Sequence, residues 1–79
     1  MNMKVLDFFF HDGKGVLDLE HNGERYRFMD LSITPPKAAG CEQRLEKLDD
    51  AWEFQLIAAN GEKVWYLYIP DQWSWRNKA

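Results

Sequence analysis

Apolar and polar residues alternate along much of this chain, and three turn signals punctuate the alternation: His11-Asp12-Gly13-Lys14-Gly15, Asn22-Gly23-Glu24 and Asn60-Gly61-Glu62. Asp-Gly and Asn-Gly suit two-residue hairpin loops, because both central positions of a type I′ turn need φ > 0. Three hairpins are therefore expected. Register tests each one, since a slip of one residue would carry every side chain to the opposite face.

A loop on Asn22-Gly23 sets Leu19 opposite Tyr26 and Leu17 opposite Phe28 on one face, with Glu20 opposite Arg25 and Asp18 opposite Arg27 on the other. Opposite charges facing one another across strands each contribute about 0.2–1 kcal/mol and mark a partly solvated face. A loop on Asp12-Gly13 adds Phe8 opposite Leu17 and Leu6 opposite Leu19, giving a three-stranded meander with Leu6, Phe8, Phe10, Leu17, Leu19, Tyr26 and Phe28 inward. The loop on Asn60-Gly61 pairs Leu56 with Trp65, Phe54 with Leu67 and Trp52 with Ile69. On its reverse face it pairs Ile57 with Val64, Gln55 with Tyr66 and Glu53 with Tyr68. A strand as bulky on both sides as Val64–Ile69 suits a central strand or one whose reverse face is covered.

Between the hairpins, Thr34-Pro35-Pro36 ends the third strand, because proline offers no ladder donor and restricts the residue before it. Residues 41–50 contain good helix formers, and Cys41, Leu45, Leu48 and Trp52 fall at helical spacing, so a short helix is expected near 41–49. The same stripe runs on through Leu56 and Ala59 and makes a single helix over about 41–59, stopped at Asn60-Gly61, the rival to the second hairpin. The alternation of Trp52, Phe54 and Leu56 with Glu53 and Gln55 favours the strand. The expected fold is mainly β: a small antiparallel, barrel-like meander of about five strands, roughly 3–11, 15–21, 24–33, 51–59 and 62–69. The alternative is α+β, with the 41–59 helix packed on a four-stranded antiparallel sheet.

Length and composition then narrow the classes. Seventy-nine residues leave room for one domain, and 46% apolar with 15% aromatic residues is a globular composition. A chain this short buries only about 60–65% of its unfolded surface, so apolar area is left over that a partner can cover. Cys41 is the only cysteine, which excludes an internal disulfide and suits a reducing, cytoplasmic setting. The start, Met1-Asn2-Met3-Lys4-Val5-Leu6-Asp7, interrupts with an acid what a signal peptide would need as an apolar stretch. The longest apolar run, Val64–Ile69, falls far short of the ~20 residues of a membrane helix, and no membrane partner is expected. A net charge of −3 argues against duplex nucleic acid, whose affinity comes largely from clustered Lys and Arg.

Catalytic chemistry has few candidates. His11 and His21 fall at opposite ends of the second strand, ~20 Å apart, too far to share a metal. Asp18 and Glu20 each face an arginine, His11-Asp12 reads as solvated turn chemistry, and Cys41 as a lone structural thiol. The familiar cofactor and nucleophile signatures are absent from the sequence, so neither an enzyme, a metal nor a cofactor is expected.

Aromatic placement is what stands out. Tyr66, Tyr68, Trp73 and Trp75 crowd the last third of the chain with Arg76 beside them, while Phe9, Val16 and Met29 fall on the outward face of the first meander. Residues 70–79 form a short aromatic tail. Packing within a second layer is the bland explanation for these side chains. The functional one is an interaction surface, because Trp, Tyr, Met and Arg are the residues enriched at interfaces. The sequence thus points to a small protein-binding module, adaptor-like or inhibitor-like, that engages another protein or its own copy through Tyr66, Tyr68, Trp73, Trp75 and Arg76. The alternative is an aromatic platform stacking on single-stranded nucleic acid or oligosaccharide.

Overall fold

The protein's structure, a computed structural model, describes residues 2–70; the aromatic tail with Trp73, Trp75 and Arg76 lies outside the described residues. The elements are β1 (Met3–His11), β2 (Lys14–His21), β3 (Glu24–Leu31), the one-turn α1 (Pro35–Ala38), β4 (Glu42–Lys47), β5 (Ala51–Ile57) and β6 (Lys63–Pro70). The fold is mainly β, as the alternation implied. The strands do not form one five-stranded meander, however, but two three-stranded antiparallel sheets ordered β1-β2-β3 and β4-β5-β6. The chain divides into two compact units accordingly, the first ending at Pro35 and the second beginning at Pro36.

The physical reason is β4. Neither the helix expected near 41–49 nor the longer rival over 41–59 forms; residues 42–47 are a strand, laid in continuous register against β5 from Glu42↔Ile57 to Lys47↔Trp52. Leu48 N–H donates to Ala51 O at 2.8 Å, closing the hairpin over Asp49-Asp50. In this register Leu45 pairs with the fully buried Phe54. The stripe through Cys41, Leu45, Leu48 and Trp52 matched a helix because the turn at Asp49-Asp50 changes the parity of the alternation, so that Leu45 and Trp52 share a face across the hairpin although seven residues apart. With β4 on one side and β6 on the other, β5 has both edges filled.

In the first sheet the expected pairs form: Phe8↔Leu17, Leu17↔Phe28, Leu19↔Tyr26, Asp18↔Arg27 and Glu20↔Arg25. Asp12 and Asn22 have φ of 53° and 52° ahead of glycines at 76° and 82°, the combination that a type I′ turn requires. Leu6 does not pair with Leu19 as expected. The register shifts between Val5 and Asp7, so Val5 takes that place and Leu6 is the extra residue of a bulge. A second shift, where two residues of β2 span three of β3, coincides with Asp30 at φ 61°. β3 then stops at Leu31, and Ile33 N–H donates back to Leu31 O at 2.9 Å before the prolines.

Met3, Val16, Leu17, Leu19 and Ile33 are buried in this unit. Of the three residues expected on the outward face, Val16 is buried and Phe9 half-buried, whereas Met29 is exposed. Gly15 sits where a Cβ would lie 3.1 Å from both Ile33 Cγ2 and Leu31 Cβ, so the chain approaches itself too closely there for a side chain.

The second sheet buries Ala51, Phe54, Leu56, Ile57 and Ile69. Its expected pairs Trp52↔Ile69, Phe54↔Leu67, Gln55↔Tyr66 and Leu56↔Trp65 are present, but Ile57 pairs with Lys63 instead of Val64. The cause is the loop. Only Gly61, at φ 85°, is left-handed, while Asn60 is not, and Ala58 N–H donates to Glu62 O at 2.8 Å. Three residues therefore make the turn, with Asn60 Oδ1 accepting from Glu62 N–H at 2.9 Å, and Val64 becomes the bulged residue.

Candidate interaction surface

Two-residue periodicity builds the surface. Residues opposite one another share a face, so Glu53 and Gln55 of β5 lie beside Tyr68 and Tyr66 of β6, while Glu46 and Arg44 of β4 flank them on the other side. Tyr66 and Tyr68 are 54% and 56% exposed, and their rings meet edge to face with centroids 6.2 Å apart. Val64 on the same strand is also exposed. Two of the five residues expected at the binding surface, Tyr66 and Tyr68, are thus placed side by side on one strand, and the other three fall in the tail beyond residue 70.

Beneath the tyrosines lies a polar network that the sequence pattern does not announce. Glu53 and Gln55 are only 5% and 1% exposed. Lys63 Nζ donates to Glu53 Oε1 at 2.8 Å, and Gln55 Nε2 donates both to Glu53 Oε1 and, at 2.9 Å, to Glu46 Oε2. The Lys63 ammonium also stands 5.4 Å from the centre of the Tyr66 ring. A buried carboxylate is tolerated only when paired and hydrogen-bonded, and this one is both. The hydrogen bond from Lys63 holds the Glu53 carboxyl below its ordinary range; burial pushes the other way and the bond from Gln55 adds to the lowering. The bond to Glu53 in turn raises Lys63. The network depends on the three-residue turn, because the bulge at Val64 is what returns Lys63 to this face. Strict alternation from Tyr66 would have put it on the other face.

The first sheet answers the same problem with arginine. Arg27 donates to Asp18 through Nε at 2.6 Å and through a terminal nitrogen at 2.9 Å, and its guanidinium lies 5.7 Å from the centre of the Phe9 ring. The bonds to Asp18 push Arg27 further up. A hollow of about 290 Å³ beside this pair is lined by Leu6, Asp7, Asp18, Arg25, Tyr26 and Arg27.

The remaining candidates are not brought together. His11 is at its turn tip, 3.4 Å from the Asp12 carboxylate, whereas His21 is buried at the other end of β2 near Tyr26. The Cys41 thiol is half-buried and donates to Lys37 O at 3.5 Å. Among the described residues no group of three His, Cys, Asp or Glu is placed to hold a metal ion, and no helix is long and apolar enough to cross a membrane. Compared with known proteins, the chain matches no family model, no curated protein and no solved structure.

Proposed function

We propose that this protein is a non-enzymatic interaction module of the cytoplasm that binds another protein through the tyrosine surface of β6, and that Trp73, Trp75 and Arg76 also take part in binding. The observation that carries this reading is the exposure of Tyr66 and Tyr68 side by side on a strand whose opposite face carries the half-buried Trp65 and Leu67 and the buried Ile69. Tyrosine supplies large contact area, a hydroxyl and little conformational entropy to lose, which is why it is enriched at binding hot spots. The bonded network of Glu53, Gln55 and Lys63 supports the reading further, because it fixes the floor on which the rings stand. The lone Cys41 is what favours a reducing compartment.

The test is affinity capture from the native host followed by calorimetry with the purified partner, using wild type and the double variant Tyr66→Ser/Tyr68→Ser. Loss of at least about 30-fold in affinity, the weight of one hot spot or more, is the expected outcome. Unchanged affinity of the folded double variant would remove the surface from the account.

The second reading is an aromatic platform for oligosaccharide or single-stranded nucleic acid; the net charge of −3 weighs against the nucleic acid, so oligosaccharide is the form tested. Titration with oligosaccharides, followed by tyrosine and tryptophan fluorescence, tests this: no change in emission would end it.

A further inference from the structure

Each sheet has two edge strands, and an edge strand offers unpaired backbone groups unless something disrupts it. Three of the four edges are disrupted: β1 by the bulge at Leu6, β3 by the irregularity at Asp30 and β6 by the bulge at Val64. β4 has no such break, no proline and no register shift anywhere along Glu42–Lys47. Five of its six residues are exposed, with only Leu45 half-buried. Backbone irregularity thus guards every described edge but this one, which is guarded by charge alone, from Glu42, Arg44, Glu46 and Lys47.

The sequence of β4 is also complementary to itself. Antiparallel pairing of two copies keeps the core face of both sheets on the same side only when the summed residue numbers of each pair are even. A two-fold axis through Arg44 sets Arg44 against Arg44 and Glu42 against Glu46, and like charges directly opposite are destabilising. An axis through Leu45 sets Leu45 against Leu45, Gln43 against Lys47, and Arg44 against Glu46 twice over. Arg44 and Glu46 are both exposed; Arg44 is held within one protomer only by contacts of 3.6 Å to Glu42 and 4.0 Å to Glu46 Oε1, and Glu46 takes its hydrogen bond from Gln55 through Oε2, which leaves Oε1 for a guanidinium across the axis. An axis through Gln43 also joins opposite charges, Glu42 with Arg44, but runs off the strand into the Gly40 turn.

From the unbroken edge and its charge pattern we propose that two copies of this chain associate through β4, antiparallel about Leu45, to make one continuous six-stranded sheet. The contact uses the edge opposite β6 and leaves Tyr66 and Tyr68 free, so it stands independently of the tyrosine surface.

Sedimentation equilibrium of the full chain, from about 10 μM to about 1 mM, tests it. Wild type is expected to rise from 9.4 kDa towards twice that mass. Arg44→Glu turns both cross-axis pairs into repulsions and is expected to weaken association about tenfold or more, while Arg44→Glu/Glu46→Arg restores the pairs and recovers it. Tyr66→Ser/Tyr68→Ser is expected to leave the dimer intact. Circular dichroism establishes that each variant is folded. Should a variant fail to fold, amide exchange of the wild type decides between the same two outcomes, because alternate β4 amides become protected only at high concentration if the edges pair. A monomer at every concentration, a dimer indifferent to Arg44→Glu, or a charge swap that does not rescue would each overturn the proposal.

Discussion

The two sheets share a plan and differ in what they leave exposed. Each is an antiparallel meander whose central strand carries a carboxylate on its polar face, Asp18 in β2 and Glu53 in β5, and each answers it with a cation from its third strand, Arg27 or Lys63. In the first sheet the guanidinium grips both carboxylate oxygens and stands over the Phe9 ring. In the second, the single ammonium bond is made deep in the face, and two tyrosines remain outside it. Arginine's planar fork satisfies a carboxylate alone, whereas lysine's point charge needs Gln55 to complete the shell. The contrast puts a bidentate ion pair on the polar face of the first sheet and an exposed aromatic pair on that of the second.

The comparison can be broken most severely at the cores. Phe54→Ala removes a fully buried ring from the second sheet and is expected to cost about 3–5 kcal/mol in urea unfolding. A cost below about 1 kcal/mol would mean that β5 is not the centre of a packed sheet. Gly15→Ala sharpens the first sheet: its methyl meets Ile33 Cγ2 and Leu31 Cβ at 3.1 Å, and overpacking of this kind costs about 1–3 kcal/mol. A stabilised variant would show that β2 and the Leu31–Ile33 segment are looser than described.

Next comes the ion pair of the second sheet. The lowered Glu53 contributes stability above its ordinary 4.5 that is lost as pH falls through the lowered value. The raised Lys63 contributes below its ordinary 10.5, and that part is lost as pH rises through the raised value. Lys63→Met should therefore lower the thermal midpoint at neutral pH and converge on wild type in acid well below 4.5, where protonated Glu53 no longer needs a cation. A deficit that persists undiminished in acid would show that lost packing, not charge, is responsible. Smallest of all, Tyr66→Ser/Tyr68→Ser should leave stability within about 0.5 kcal/mol of wild type, since the rings are mostly in solvent. A larger loss would make them core residues.

Much of this was legible in the residues. Alternation and the Asp12-Gly13 and Asn22-Gly23 turns give the first sheet nearly pair for pair, whereas the aromatic strand 63–70, bulky enough on both faces to be expected central or covered, is an edge strand with Tyr66 and Tyr68 exposed. What escaped was set by features with no strong local signal. The strand at 42–47 has one apolar residue in six, so its pairing with β5 is decided by Leu45 meeting Phe54 across the hairpin rather than by propensity. The bulge at Leu6 leaves no mark in an apolar run where Val5 and Leu6 suit the same position. Asn60-Gly61 fits either a two-residue or a three-residue loop, and the choice moves Lys63 to the other face. The tie between Lys63 and Glu53 was hidden for that reason alone.

The central claim is that β2 and β5 are the middles of two separate three-stranded sheets, with β4 an edge strand. Amide hydrogen exchange followed residue by residue in a dilute sample tests it most directly. Consecutive protected amides along 15–20 and 52–56, with alternate protection along 42–47, are the predicted result. An unbroken protected run from 41 to 59 would contradict the account, because only a helix protects every amide of that stretch.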